Sequence, residues 1–337
     1  MKKPFGVLPS GDPAFLYTIR NGKMQAQLTD FGATLVRLYV PDRQGHVDDV
    51  VLGFSDCNEY RMSPTYCGAI VGRNANRVRD SRFSLNGKTV HLEANEGGNC
   101  NHSGTNCYAF RLWQVEQLSA NSITFCLRSA DGDQGFPGNA EIRVTYTLTA
   151  DHTLSIAFDA VADKDTVFNM TNHSFFNLAG HQHPELAVKQ ELILPARIYT
   201  EADANNIPTG RLLTVAETPM DFREAKPIGR DIDADHPALR SGGYDMNFEV
   251  FTDPAAILHD PASGRTMTVS TDLPGIHFYS GNYLAGEIGK DGISYCQRGG
   301  MALETQYYPD SVNHPEWRQP FVKAGERWHS ETRFSFK

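Results

Sequence analysis

The chain has 337 residues, 40% of them hydrophobic and 21% charged, and a formal net charge of −9. That length is enough for one large all-β or barrel core, or for two ordinary domains. The negative balance argues against nucleic acid as the main partner, because binding phosphates needs a basic surface.

In chain order, Met1, Lys2 and Lys3 are followed by no apolar run, so we expect no signal peptide and no membrane partner. Residues 56–62 and 184–188 read as short helical turns. Residues 82–92 read as a hairpin: Phe83 and Leu85, then Asn86-Gly87, then Val90 and Leu92. Asn-Gly is a strong hairpin signal because both residues tolerate positive φ. Ile123, Phe125 and Leu127 alternate with polar neighbours, as do Ile142, Val144, Tyr146 and Leu148, and then Leu154, Ile156 and Phe158. Such period-two patterns are half-buried antiparallel strands. No segment carries a sustained helical apolar stripe with caps. There is no repeat and no linker, so the expectation is one all-β domain over residues 1–337. It would consist of stacked antiparallel sheets with a few short helices.

The cysteines are Cys57, Cys67, Cys100, Cys107, Cys126 and Cys296. None is paired at zinc-ribbon spacing, and free thiols in a reducing cytoplasm are expected. Cys100 and Cys107 flank His102, but no second ligand cluster accompanies them, so no metal is expected there.

Five stretches set polar side chains among apolar ones. In residues 171–178, His173 stands between Asn172 and Ser174, with Phe175 next. Read as one strand, Thr171, His173 and Phe175 share a face. This suits a proton-transfer site or a buried structural histidine. Residues 72–78 hold Arg73, Asn74, Asn76 and Arg77, donors for sugar hydroxyls or a solvated turn. Residues 97–110 form a Gly-rich loop around Asn101 and His102, either a ligand loop or a mobile surface. Asp245 lies between Tyr244 and Met246, as a bidentate acceptor or a turn cap. Glu304 sits inside the apolar run 301–307, where a carboxylate is costly unless it pairs with an arginine or does chemistry. His181-Gln182-His183 reads as surface polar residues in a loop, and Trp317 as packing.

These stretches, in this order along one chain, resemble the aldose 1-epimerase (galactose mutarotase) family. The likeness also runs through Phe31-Gly32-Ala33, Asp49-Val50-Val51-Leu52-Gly53-Phe54, Asp133-Gln134-Gly135-Phe136-Pro137-Gly138, Ile207-Pro208-Thr209-Gly210 and Phe278-Tyr279-Ser280-Gly281-Asn282. The resemblance implies a galactose mutarotase-like β-supersandwich. It implies interconversion of α and β anomers of a free aldose such as glucose or galactose, without a cofactor. By position, Glu304 looks like the general base, His173 like the general acid and His102 like a second histidine near the ring oxygen. Asn76, Arg77 and Asp245 look like substrate-binding groups. Two departures stand out. The loop reads Asn101-His102-Ser103-Gly104 where the family commonly has Leu-His-Gly-Gly. His277 stands where the family commonly has glutamine, and we hypothesise that it alters which sugar is accepted.

Three rivals share these residues. A glycosidase would pair Glu304 with Asp245. A non-catalytic sugar-binding protein would keep Arg77 and Asp245 but have no use for His173 and Glu304 together. An epimerase of a modified or phosphorylated sugar would draw on Arg73, Arg77, Arg79 and Arg82. In each case the partner is a small sugar, and the protein is expected to be a monomer or homodimer.

Overall fold

The computed structural model describes residues 2–337, and its regular structure is dominated by antiparallel strands. A five-stranded meander comes first: Lys2–Val7, Pro13–Asn21, Met24–Thr29, Thr34–Pro41 and Val47–Asp49, paired in sequence order. A nine-stranded sheet follows, centred on Ala140–Leu148, Thr153–Ala162 and Arg327–Phe336. Ala140–Leu148 alternates buried and half-buried at every residue. Ile142, Val144, Tyr146 and Leu148 face the core with no exposed surface. Burying such a side chain is worth about 1.5–3 kcal/mol, so the period of two fixes which face turns inward. Arg327–Phe336 lies between Thr153–Ala162 and Thr266–Thr271 and ties the chain's end to its middle.

A six-stranded sheet positions the site. Its order is Phe175–Phe176, Met301–Gln306, Gly275–Tyr279, Asp245–Glu249, Ile198–Ala202 and Pro208–Thr214. Met246, Phe248, Ile276, Phe278 and Leu303 join the main core, and the Phe176 ring packs on Phe334 of the nine-stranded sheet at 5.0 Å. Asp245, His277 and Glu304 alternate with those apolar residues along their strands, so they point the opposite way.

The hairpin forms from Arg82–Leu85 and Lys88–His91, with Asn86 at φ 52° and Gly87 at φ 74°. Both turn residues are left-handed, the geometry that matches strand twist in a two-residue loop. Cys57–Met62 is a short α-helix and Pro184–Lys189 a 3₁₀ helix. The α-helix does carry a cap: the Asp56 carboxylate accepts from Asn58 N–H at 2.7 Å. Among the described residues, no helix is long and apolar enough to cross a membrane.

Two local expectations need correction. Residues 171–178 are not one strand. Thr171–Asn172 pairs with Ile70–Val71, and Phe175–Phe176 pairs with Met301–Ala302. His173 lies at the break. His181 is not a surface residue: it is buried against Tyr295, and its Nε2 lies 3.2 Å from Asp291. An adjoining ionic group explains why it is drawn in: Lys290, fully buried, meets Asp49 at 2.6 Å, and Arg37 bridges Asp49 and Asp291. Sequence spacing carries no trace of partners so far apart in the chain. Trp317 packs, stacked on His314 at 4.3 Å. The six cysteines are free thiols, and only Cys296 is exposed.

Candidate active site

Glu304 starts the construction. It sits in Met301–Gln306, a strand whose six residues are all buried. Its direct cross-strand neighbour is His277, and the next residue outward in that row is Asn247. On the other side, Phe175 pairs with Ala302. Extending that antiparallel register by two residues would set His173 opposite Glu304. The ladder ends at Phe175 instead. The His173 N–H donates to Ala69 O and its carbonyl accepts from Gly68 N–H. Gly68 has φ 68°, and a Cβ there would lie 2.2 Å from Leu35 O, so glycine is required where the chain anchors His173.

The result is a pocket of about 320 Å³. That is at the small end of the roughly 300–1,000 Å³ range of small-molecule sites. All seven residues singled out by sequence line it: Asn76, Arg77, His102, His173, Asp245, His277 and Glu304. His173 Nε2 lies 3.5 Å from Glu304 Oε1. No arginine makes an ion pair with Glu304 among the described residues, so the structural salt bridge is not what holds it. Burial, helped by the Asp245 charge and only partly offset by Arg77, pushes Glu304 up to about 8. Burial pushes His173 down to about 4. Both shifts disfavour charge, so between these values the pair holds one proton, carried by the carboxyl.

Arg77 and Asp245 also line the pocket. Arg77 makes a two-point pair with Glu96, Nε to Oε2 at 2.6 Å and Nη2 to Oε1 at 3.2 Å. Its Nη2 also lies 4.0 Å from Asp245 Oδ2. Asp245 opens a strand rather than capping a turn. Its Oδ1 accepts from His277 Nε2–H at 2.8 Å and its Oδ2 from Asn206 at 3.1 Å. Burial works against its charge, but the His277 hydrogen bond and the Arg77 cation outweigh it and hold the carboxyl below the usual range. Two acceptor directions of the carboxylate remain for a ligand.

His102 is buried, not on a mobile surface. Its loop is stapled by Cys100–Asn101 pairing with Arg77–Val78. The Asn76 backbone N–H donates to its Nδ1 at 3.1 Å, and Asn76 Oδ1 accepts from Arg77 N–H at 2.9 Å. Burial, then the charges of His173 and Arg77, push His102 well below the ordinary imidazole range. The serine in Asn101-His102-Ser103-Gly104 ties this loop down: Ser103 Oγ accepts from Asn74 N–H and donates to Asn74 O, both at 2.8 Å.

The four arginines do not converge. Arg73 is fully buried and spends its donors on Tyr108, Ser129, Thr166 and the carbonyls of Pro137 and Gly138. Arg79 turns to Asp203, and Arg82 to Asp80. Only Arg77 of the four reaches the pocket, and it is already paired, so the basis for a phosphate-binding cluster is gone. Sequence reasoning missed Tyr66, Glu96 and Tyr283. Tyr66 packs on His102 at 4.8 Å and on His173 at 6.0 Å, and Tyr283 is an exposed aromatic at the rim. Tyr66 and Glu96 sit in stretches with no distinguishing pattern. Tyr283, directly after Gly281-Asn282, was the one within reach of sequence.

The sequence model of the family described as Aldose 1-epimerase matches residues 16–335. The chain is 39% identical to a Haemophilus influenzae protein named Aldose 1-epimerase, over 98% of this chain and 97% of that one. It is 38% identical to the Rattus norvegicus Galactose mutarotase, over the same shares. A solved aldose epimerase homologue from C. elegans superposes with a TM-score of 0.89 at 29% identity, covering 96% of this chain and 99% of that one.

Proposed function

The chain belongs to the aldose 1-epimerase family, and on that premise we propose that it interconverts the α and β anomers of a free aldose by acid–base ring opening and reclosure. One observation carries the reading beyond family membership: a carboxylate and an imidazole, both buried, face each other at 3.5 Å inside a sugar-sized pocket with no arginine on the carboxylate.

Glu304 removes the proton from the C1 hydroxyl, and His173 gives one to the ring oxygen. The C1–C2 bond turns, and the aldehyde recloses from its other face with the proton roles reversed. One positioned acid or base contributes roughly 10²–10⁴-fold. The proton inventory fits. The cyclic sugar faces carboxylate and imidazolium, and the open aldehyde faces carboxyl and neutral imidazole. Burial disfavours the charged pair, so ring opening relieves what burial opposes. Asp245 and Arg77 hold sugar hydroxyls, with Asn76 offering its amide N–H₂ and His277 fixing Asp245. These steps move only protons and the ring acetal bond.

Galactose and glucose are the proposed substrates, which would place the enzyme in hexose metabolism. Residues 1–337 would act as one domain in the cytoplasm, as a monomer or homodimer. Polarimetry of freshly dissolved α-galactose and α-glucose tests the reading. Rotation should relax much faster with protein than without. An unchanged spontaneous rate would make it a binding protein, and aglycone release from aryl glycosides would make it a glycosidase.

A further inference from the structure

We propose that Asp310 is a positioning residue for the substrate-binding groups. It ties the strand of Glu304 to Arg77 and, through Arg79, to the segment that holds Asp245. The sugar used in the test rests on the mutarotase reading above; the tie between the segments does not.

Asp310 lies just beyond Met301–Gln306, the strand of Glu304, and is buried with φ 59°. That left-handed backbone suits aspartate and asparagine better than most residues with a Cβ. The turn aims both backbone and side chain at Arg77–Val78. The Asp310 N–H donates to Arg77 O at 2.8 Å, and its Oδ1 accepts from Arg79 N–H at 3.0 Å. Cys100–Asn101 already pairs with Arg77–Val78, so Asp310 gives that two-residue strand a second bonded edge. The same Oδ1 accepts from Asn313 Nδ2 at 2.7 Å, and that amide also donates to Arg82 O at 3.0 Å.

A second limb runs through the Arg79 side chain. Its Nε lies 4.0 Å from Asp310 Oδ2, and its Nη2 donates to Pro208 O at 2.8 Å and to Asp203 Oδ2 at 3.3 Å. Asp203 Oδ1 accepts the backbone N–H groups of Asn205 and Ile207 and so closes the turn that carries Asn206. Asn206 Nδ2 donates to Asp245 Oδ2 at 3.1 Å. Arg77 and Asp245, the groups assigned to sugar hydroxyls, therefore both hang from Asp310. His173 does not: its backbone is anchored on Ala69 and Gly68. Without the Asp310 carboxylate the binding groups lose register while the acid–base pair keeps its place. Affinity falls, and the bound sugar still reacts.

Two variants of the full chain separate this from a plain packing role. Asp310→Gly keeps the left-handed turn and the N–H bond to Arg77 O but removes the carboxylate. Asp310→Asn keeps the Oδ1 acceptor. For Asp310→Gly, the calorimetric Kd for galactose should rise about 10- to 100-fold, with polarimetric kcat within about threefold of wild type. Asp310→Asn should recover most of that affinity. Arg79→Met cuts only the second limb, at a half-exposed side chain, and should raise Kd by about 3- to 10-fold. Wild-type Kd in Asp310→Gly overturns the proposal, even where its melting temperature or active fraction falls. A loss of kcat at unchanged Kd overturns it too. Should Asp310→Gly fail to fold, the Kd of Arg79→Met decides. If wild-type protein binds galactose without interconverting it, the functional reading falls alone and the Kd ratios stand. If it binds neither galactose nor glucose, a crystal structure of Asp310→Gly decides: Arg77 and Asp245 should be displaced, and unmoved side chains overturn the tie.

Discussion

Ala140–Leu148 and Met301–Gln306 are both inner strands of antiparallel sheets, yet they follow opposite rules. The first alternates buried and half-buried residues, with Arg143, Thr145 and Thr147 facing outward. The second is buried at all six positions, polar residues included. In the first strand the polar side chains reach the surface. In the second, Glu304 and Gln306 are buried, and Glu304 Oε2 and both polar atoms of the Gln306 amide have no protein partner. A buried polar group without a partner costs on the order of 1–3 kcal/mol, so packing alone does not account for this strand. The contrast sets a strand that packs beside one that carries a carboxylate to the lining of a pocket.

Glu304→Gln should give the largest effect. We expect kcat to fall by about 10²–10⁴-fold in polarimetry, with sugar binding by calorimetry nearly unchanged. Stability should move the other way. Glu304 titrates at 4.5 in the unfolded chain and about 8 in the fold, so its contribution is fully present below 4.5 and is lost as pH rises through 8. The variant should therefore gain melting temperature over wild type at pH 9 and show less difference at pH 5. Full activity in the variant would remove Glu304 from its role.

Ile142→Ala probes the other strand. It should cost about 2–5 kcal/mol in urea unfolding and leave kcat/KM of the folded fraction unaltered. A matching collapse of kcat/KM would show that the two strands are not separable.

The pH profile of kcat/KM comes next. Below about 4, His173 gains a proton and the pair has no base, and above about 8, Glu304 loses its proton and the pair has no acid. Activity should form a plateau between these limits and drop roughly tenfold per pH unit outside them. A profile that keeps rising past pH 9 would contradict a carboxyl that holds the shared proton.

His277→Gln should have the smallest effect. Glutamine can still donate to Asp245, so the best sugar should react within a few-fold of wild type, while the ranking across aldoses shifts. An identical ranking would show that His277 does no more than hold Asp245.

The sequence discloses these regions unequally. The nine-stranded sheet is legible because alternation is a local signal: Ile142 and Arg143 announce their faces to any reader of period two. Glu304 draws notice because a carboxylate in an apolar run is anomalous. Its partners do not. His277 reaches Asp245 across 32 positions and Glu304 across 27, through a register that no local pattern states. The Asn76 backbone holds His102 twice, its N–H donating to the imidazole Nδ1 and its carbonyl accepting from the His102 N–H, which residue identity cannot show. His181 looks like an ordinary loop histidine until Tyr295 and Asp291 arrive from more than a hundred residues away. The site residues and their expected roles come from an order along the chain that resembles a family, and the structure adds that all seven line one pocket.

The ladder that stops at Phe175 opposite Ala302 has a mechanical meaning. Had it continued for one more pair of steps, His173 would be an ordinary cross-strand neighbour of Glu304, its place set by the sheet. The chain instead peels away towards Ile70–Val71, and backbone bonds to Ala69 and Gly68 set the imidazole beside the carboxylate, Nε2 3.5 Å from Oε1, with both groups on the pocket's lining. That placement belongs to the point of departure and to neither side chain. Deleting or inserting one residue between 172 and 175 should swing the imidazole off the carboxylate. The two groups stand shoulder to shoulder, one on a fixed strand and the other set by where a second strand lets go.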